Sequence, residues 1–197
     1  MGEMIKMVVV LTLLSTASGG LLAFFKDFTK DKIEYQQLQN IKGPAIRAIL
    51  ASTDNDPIID RFTIDDSGIQ RQFFVGVIKG KAHLIAFESS GKGYGGDIGL
   101  MVGVDTDTDK IVGVGVTTHS ETPGLGSRAK TDPEFTAQFG EKQIAGEFKV
   151  KTDGGQIDAI SGATVTSRGV AVGLTQAGSI YQNLKPQIVE KIKAFNK

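Results

Sequence analysis

The chain of 197 residues contains no cysteine, which excludes disulfides, thiolate zinc sites, cysteine-ligated iron–sulfur clusters and thiol redox chemistry in one step. Any redox work must come from a bound organic group. Histidine is almost as scarce. His83 lies in a strand pattern and His119 in a loop, and two separated histidines do not argue for a metal site. Neither sign of charge is in excess, with 22 basic and 22 acidic side chains, so the electrostatic footprint of a nucleic-acid binder is missing. Repeats and low-complexity tracts are missing too. Glycine, by contrast, is plentiful: 25 residues, nearly twice the usual share of about 7%. Most fall between residues 68 and 178, where they suggest tight turns and close backbone approach rather than a linker.

One long apolar run stands out. From Met7 to Phe25, "MVVVLTLLSTASGGLLAFF" gives 19 residues without a charge. As a helix this spans about 28 Å, against a hydrocarbon core of about 30 Å. A cleaved signal peptide is the alternative, with Lys6 as its charged start and "STAS" as the small residues near a cleavage point. The continuation "LLAFF" extends the apolar run past that point and favours a retained anchor. Lys26, Lys30 and Lys32 follow the span while only Lys6 precedes it, which taken alone places the rest of the chain inside; long domains cross largely regardless of such charges. The chain thus divides into a transmembrane anchor over 1–25, a helical stalk over 26–56 and a folded domain over 57–197. In the stalk, Phe28, Ile33 and Leu38 sit at helical spacing as one buried face, and Gly43-Pro44 is expected to break or bend the helix.

Strand patterns dominate the first half of the domain. "QFFVGVI" and "AHLIAFE" flank the turn "KGK", and "DIGLMVGVD" and "KIVGVGVTT" flank "TDTD", predicting two hairpins of an antiparallel sheet. In "TDPEF", Asp132 is placed to cap a helix that starts at Pro133, with Glu134 facing the positive end. "EFKVK" reads as a short strand. From Val165 onward Val170, Leu174, Ala177 and Tyr181 form one helical face, and Pro186 is expected to separate two helical pieces. The class is α+β.

Several motifs fail on inspection. "GKGYGG" and "GLGSRA" match G-x-G-x-x-G/A, but neither joins the end of a strand directly to the start of a helix, as a dinucleotide fingerprint must. "DTDTDK" begins like a calcium loop, yet Lys110 stands where glycine is needed and Val116 where glutamate is needed; it reads as a solvated hairpin turn. His119 and Ser120 adjoin without a nucleophile elbow.

Three glycine- or hydroxyl-rich stretches remain: "GYGGDI" (93–98), "HSETPGLGSR" (119–128) and "DAISGATVTS" (158–167). The last clusters Ser161, Thr164, Thr166 and Ser167 just before a long helical pattern. As a helix cap alone, that cluster would account for one hydroxyl but not for four. "ETPGLG" followed by "SGAT" resembles the FMN-binding domain shared by the G subunit of the Rnf ion-translocating ferredoxin:NAD oxidoreductase and the C subunit of the Na⁺-translocating NADH:quinone reductase. The resemblance covers most of the chain. It implies an N-terminal transmembrane helix followed by an antiparallel-sheet FMN-binding domain with packed helices. It further implies that a flavin transferase joins FMN, through its phosphate, to the last residue of an Asp-x-x-Ser-Gly-Ala-Thr pattern. Asp158, Ser161, Gly162, Ala163 and Thr164 match that pattern without departure, so Thr164 would carry the flavin.

The same resemblance implies that Glu121, Thr122, Gly124, Leu125 and Gly126 lie near the flavin ring or its polar edge. Gly93, Tyr94, Gly95 and Gly96 would form a neighbouring wall. Asp158 would serve recognition by the transferase, and Thr166 and Ser167 would act as local caps. A phosphoester needs a hydroxyl, and a helix N-terminus offers unpaired amides beside the phosphate.

The implied function is a membrane-anchored electron carrier without substrate turnover of its own, one subunit of a translocase. Its partners would be the other membrane subunits, the transferase and membrane lipid. The flavin domain would lie on the extracytoplasmic side of the cell (inner) membrane. The short chain favours the Rnf subunit over its quinone-reductase relative. Two other readings remain open: an anchored extracytoplasmic module binding a ligand non-covalently in the same loops, and a hydrolase using Ser120 or Thr164 with His119.

Overall fold

The computed structural model describes residues 2–196, the side chains of Asp31 and Glu34 excepted. The chain forms two compact units, Met1–Asn40 and Ile41–Lys197. The first unit is built on one helix, α1 (Gly2–Gln37), whose stretch Gly2–Lys30 is long and apolar enough to cross a membrane. Phe28 and Ile33 are exposed, contrary to the buried face expected of them; only Leu38 of the three is buried. A lone helix has no core of its own in which to hide them. A π-helical turn, Leu38–Lys42, leads into α2 (Gly43–Ile49), which carries Pro44 in its first turn. The helical path is not broken at Gly43-Pro44 as expected: α2 follows the π-helical turn without a gap, and the departure from α-helical hydrogen bonding falls just before Pro44, which has no N–H to offer the carbonyl four residues earlier.

The second unit begins at Ile41, well before the sequence boundary at 57, because α2 packs on the sheet. The sheet has five antiparallel strands in the order β1 (Arg61–Asp66), β2 (Ile69–Ile78), β3 (Lys81–Lys92), β4 (Asp97–Asp105), β5 (Lys110–Thr118). Both expected hairpins are present. Strand β1 is an addition, joined to β2 through Ser67-Gly68 at φ 55° and 92°. Lys79-Gly80, at φ 51° and 78°, makes the β2–β3 turn in the same way, as the right-handed twist of a two-residue hairpin favours.

Side chains alternate across the sheet, and both faces are covered. Phe73, Val75, Ile85, Phe87, Leu100 and Val102 belong to the main core under the long helix α5 (Thr164–Ile192). Glycines in β4 and β5 make room for α2 on the other face: a Cβ at Gly103 would stand 2.2 Å from Ile49, and one at Gly115 would stand 3.3 Å from Ala45.

Along the chain between β5 and α5 come α3 (Arg128–Thr131) and α4 (Pro133–Ala137), the latter capped as expected by the Asp132 carboxylate, 3.1 Å from the Glu134 amide. "EFKVK" does not form a strand. Val150 makes a single parallel bridge to Ile157, and its carbonyl instead accepts from Asp153 and Gly155 in the tight turn that follows. Pro186 does not divide the C-terminal helix either; α5 runs through it. The buried stripe Val170, Leu174, Ala177, Tyr181 continues as Leu184, Ile188 and Ile192 beyond the proline, so packing on both sides offsets the roughly 3 kcal/mol that an interior proline costs.

The acidic β4–β5 hairpin is not merely a solvated turn, because it is tied to α5. The Tyr181 hydroxyl donates to Asp109 at 2.6 Å, and Lys185 pairs with the same carboxylate at 2.5 Å. Burial pushes the Asp109 carboxyl up, but the hydrogen bonds from Lys185 and Tyr181 outweigh it and leave it below the ordinary 3.8. Burial, followed by the bond to Asp109 and its charge, raises the Tyr181 hydroxyl above its ordinary 10.0. A depressed carboxyl adds stability above its unfolded pKa and loses it as pH falls through the folded value; a raised phenol does the reverse at the alkaline end. The unfolding free energy of an Asp109→Asn variant should therefore fall by about 1 kcal/mol at neutral pH. That deficit should vanish in acid, as pH falls through the lowered folded value of Asp109, when urea titrations of both proteins are compared.

Candidate cofactor site

The three stretches singled out in the sequence meet at the N-terminus of α5. The tip of the β3–β4 hairpin supplies residues 93–96, the loop after β5 supplies 119–127, and the turn at 158–163 ends at Thr164, the first residue of α5. Between them lies a cleft of about 530 Å³, lined by Tyr94, Glu121, Thr122, Leu125, Gly126 and residues 162–166, within the about 300–1,000 Å³ typical of small-molecule sites.

Each stretch is folded by local chemistry. Gly93 donates to the Gly96 carbonyl at 2.8 Å, with Gly96 at φ 144°, so the hairpin tip closes on itself. In the 119–127 loop the Thr122 carbonyl accepts from Leu125 and Ser127, both at 3.2 Å, while the Gly124 amide donates to Ser127 Oγ at 2.9 Å. Gly162, at φ 77°, takes the left-handed conformation that turns the chain into α5.

Glu121 binds the three together. Its side chain is 6% exposed, Oε1 accepts from the Gly95 amide at 2.8 Å, and Oε2 accepts from the Thr166 hydroxyl. Both oxygens are thus engaged inside the protein, although the residue lines the cleft. Thr166 is consequently not a local cap: it reaches across to another loop. Ser167 does act locally, with its Oγ donating to the Ala163 carbonyl and accepting from the Ile160 amide, both at 3.0 Å. Gly126 is required by this arrangement, because a Cβ there would stand 2.6 Å from Glu121 Oε2 and 2.7 Å from Thr166 Oγ1. A Gly126→Ala variant should lose about 1–3 kcal/mol of stability, read as a shifted urea midpoint of the full chain in detergent.

Of the remaining expected residues, Tyr94 is 77% exposed at the cleft rim rather than laid over the sheet, and Leu125 and Val165 expose apolar side chains beside it. Ala163 and Gly162 line the cleft next to Thr164. Gly95 contributes through its amide, and Gly124 through the turn that shapes the loop. Ser161 and Asp158 face elsewhere, into an adjoining cleft of about 360 Å³ shared with Arg128 and Gln138. Val165 joins the lining residues without any signal in its sequence neighbourhood that marks it.

Thr164 is half-buried on the cleft, and its hydroxyl has no hydrogen-bond partner within the described protein. It begins a helix of 29 residues whose N-cap, Ala163, offers no side chain to the first amides. Those amides, together with the positive end of the helix dipole, point at whatever occupies the adjacent space. Among the described residues no lysine or arginine lines the cleft. His119 Nδ1 is 3.3 Å from the Glu121 amide, and no hydrogen bond joins it to Ser120 or Thr164 among the described residues, so the geometry of a hydrolase is not assembled.

These features fit FMN: an apolar rim for a flat ring, hydrogen-bonding backbone from two loops, and a helix N-terminus for a phosphate. Comparison with known proteins agrees. Residues 93–179 match the FMN-binding domain family. The G subunit of the ion-translocating oxidoreductase complex of Methanosarcina acetivorans is 31% identical over 177 residues, covering 89% of this chain and 93% of that protein. Its counterpart from Cereibacter sphaeroides is 33% identical over 183 residues, covering 89% and 80%. Among solved structures, the C subunit of the Na⁺-translocating NADH-quinone reductase of Parabacteroides distasonis shares 34% identity over 59% of this chain and 63% of its own, with a TM-score of 0.50. NqrC of Shewanella oneidensis shares 28% over 73% of each chain, with a TM-score of 0.51. With an apolar N-terminal helix ahead of this domain, the chain belongs to the family of G subunits of ion-translocating oxidoreductase complexes.

Proposed function

We propose that this protein carries FMN esterified through its phosphate to the Thr164 hydroxyl, and that it passes electrons within a membrane-bound ferredoxin:NAD⁺ oxidoreductase. The observation that carries this reading is the state of the four clustered hydroxyls. Thr166 and Ser167 are engaged in internal hydrogen bonds, Ser161 faces the adjoining cleft, and Thr164 alone is both unpartnered and on the main cleft.

Charge supports the ester. A phosphate monoester carries about −1.5 to −2 at neutral pH, which a cleft without lysine or arginine would hold poorly. A diester carries a single negative charge, within the reach of the first amides of α5 and its dipole of about half a charge. Bound FMN supplies reversible electron uptake, while the chain supplies position and electrostatics. Tyr94, Leu125 and Val165 offer exposed apolar surface at the rim, and the 93–96 and 119–127 loops flank the cleft.

The flavin domain lies on the extracytoplasmic side, where a covalent bond keeps a cofactor that would otherwise be lost. Its maturation requires a flavin transferase, its anchor α1 sits in lipid, and its electron partners are the other subunits of the complex. The test is intact mass and peptide mapping of the full chain coexpressed with a flavin transferase. A gain of one FMN less one water on the peptide holding Thr164 supports the reading. An unmodified chain that still binds FMN reversibly would replace it with the non-covalent module.

A further inference from the structure

We propose that Glu121 is a positioning residue that also lowers the reduction potential of the flavin in the cleft. This rests on the proposal that FMN occupies the site. The family resemblance implied only that Glu121 lies near the flavin ring or its polar edge. In the structure its two carboxylate oxygens are spent on the Gly95 amide and the Thr166 hydroxyl, so it holds the hairpin tip and the start of α5 at a fixed separation.

The backbone around Glu121 is built to this contact. A Cβ at Gly93 would stand 2.4 Å from Glu121 Oε1, and one at Gly126 would stand 2.6 Å from Oε2. Glycine on both sides lets two loops close on one carboxylate. Both of its partners donate, so the group acts as an acceptor at each oxygen.

Glu121 also stands out electrostatically. Among the described residues it is the only carboxylate lining the cleft, no lysine, arginine or histidine stands in the walls, and it makes no ion pair. A buried carboxylate without a cation opposes the gain of negative charge next to it, and low local polarity makes that opposition larger than in water. Electron uptake by a flavin in this cleft is therefore disfavoured, and the bound group is a stronger reductant than it would be over a neutral floor. Glu121→Gln removes the charge while its amide can still accept from Gly95 and donate to the Thr166 oxygen. Glu121→Ala removes both the charge and the link.

The experiment uses the full chain in detergent, prepared with a flavin transferase, and scores flavin on Thr164 by mass before anything else. Midpoint potentials are then measured on the loaded fraction by spectroelectrochemical titration, for wild type, Glu121→Gln and Glu121→Ala. In parallel, amide exchange at Gly95 is followed in the unloaded proteins. Glu121→Gln is expected to shift the reduction equilibrium about tenfold toward the reduced form, about 30 mV for a two-electron couple, while keeping Gly95 protected. Glu121→Ala should deprotect the Gly95 amide at least tenfold. Equal potentials in wild type and Glu121→Gln would overturn the electrostatic role, and unchanged Gly95 exchange in Glu121→Ala would overturn the positioning role. A wild-type chain with no flavin on Thr164 would refute the covalent reading instead; potentials of reversibly bound FMN and the Gly95 exchange would then still decide the role of Glu121.

Discussion

Thr164→Val is expected to abolish covalent flavin addition completely, while Ser161→Ala keeps the modification on the peptide that holds Thr164. The two hydroxyls are only three residues apart, yet the chain reverses between them at Gly162, whose φ is 77°. That reversal sends Ser161 into the cleft shared with Arg128 and Gln138, and it leaves Thr164 at the head of α5. A hydroxyl is a useful ester acceptor only where the incoming phosphate can also reach unpaired amides. Thr164 meets that condition. Valine is nearly isosteric with threonine, so the variant should fold with an unchanged unfolding midpoint and simply lack the added mass. Thr164→Ser should retain the flavin. Modification of Thr164→Val at Ser161 would mean that the modifying enzyme reads the pattern rather than the helix terminus.

The largest loss of stability is expected from Gly91→Ala. At this point α5 crosses β3 with backbone against backbone: a Cβ on Gly91 would stand 1.8 Å from the Gly169 carbonyl oxygen. The approach is matched from the helix side, where a Cβ on Gly169 would meet the Lys92 carbonyl at 2.7 Å, and one on Gly173 would meet the Gly91 amide at 3.0 Å. The Ser89 hydroxyl fastens the same crossing by donating to the Gly173 carbonyl at 2.8 Å. Backbone atoms cannot rotate away as a flexible side chain can, so one methyl must push the helix off the sheet. The cost should be about 3 kcal/mol or more, measured as the shift in urea midpoint of the full chain in detergent. Because Thr164 starts that helix, Gly91→Ala should also reduce flavin attachment. Gly68→Ala serves as the control, since its Cβ meets nothing within 4 Å; its loss should be limited to about 1 kcal/mol for the positive φ.

Much of the architecture was legible because it depends on local chemistry. The two hairpins followed from alternation and turn residues, the cap at Asp132 from its place before Pro133, and the spanning helix from an uncharged run of sufficient length. Strand β1 was harder to see because only two of its six residues, Phe62 and Ile64, are apolar, so its alternation is too short to stand out. Pro186 misled for a different reason. A proline reports the hydrogen bond that it removes, but the compensating stripe of Leu184, Ile188 and Ile192 acts only once a sheet lies beneath it.

Composition and motif order by themselves determined that no thiol chemistry is possible, that an apolar helix precedes an α+β domain, and that the 93–98, 119–128 and 158–167 stretches carry the interest. Side-chain destinations were beyond the sequence. Thr164, Thr166 and Ser167 stand within four residues, and a helix turns by about 100° per residue, so their hydroxyls leave in different directions toward different neighbours. Only the docking of α5 onto β3, backbone to backbone through glycine, decided that Thr166 meets Glu121, that Ser167 stays local, and that Thr164 is left free at the cleft.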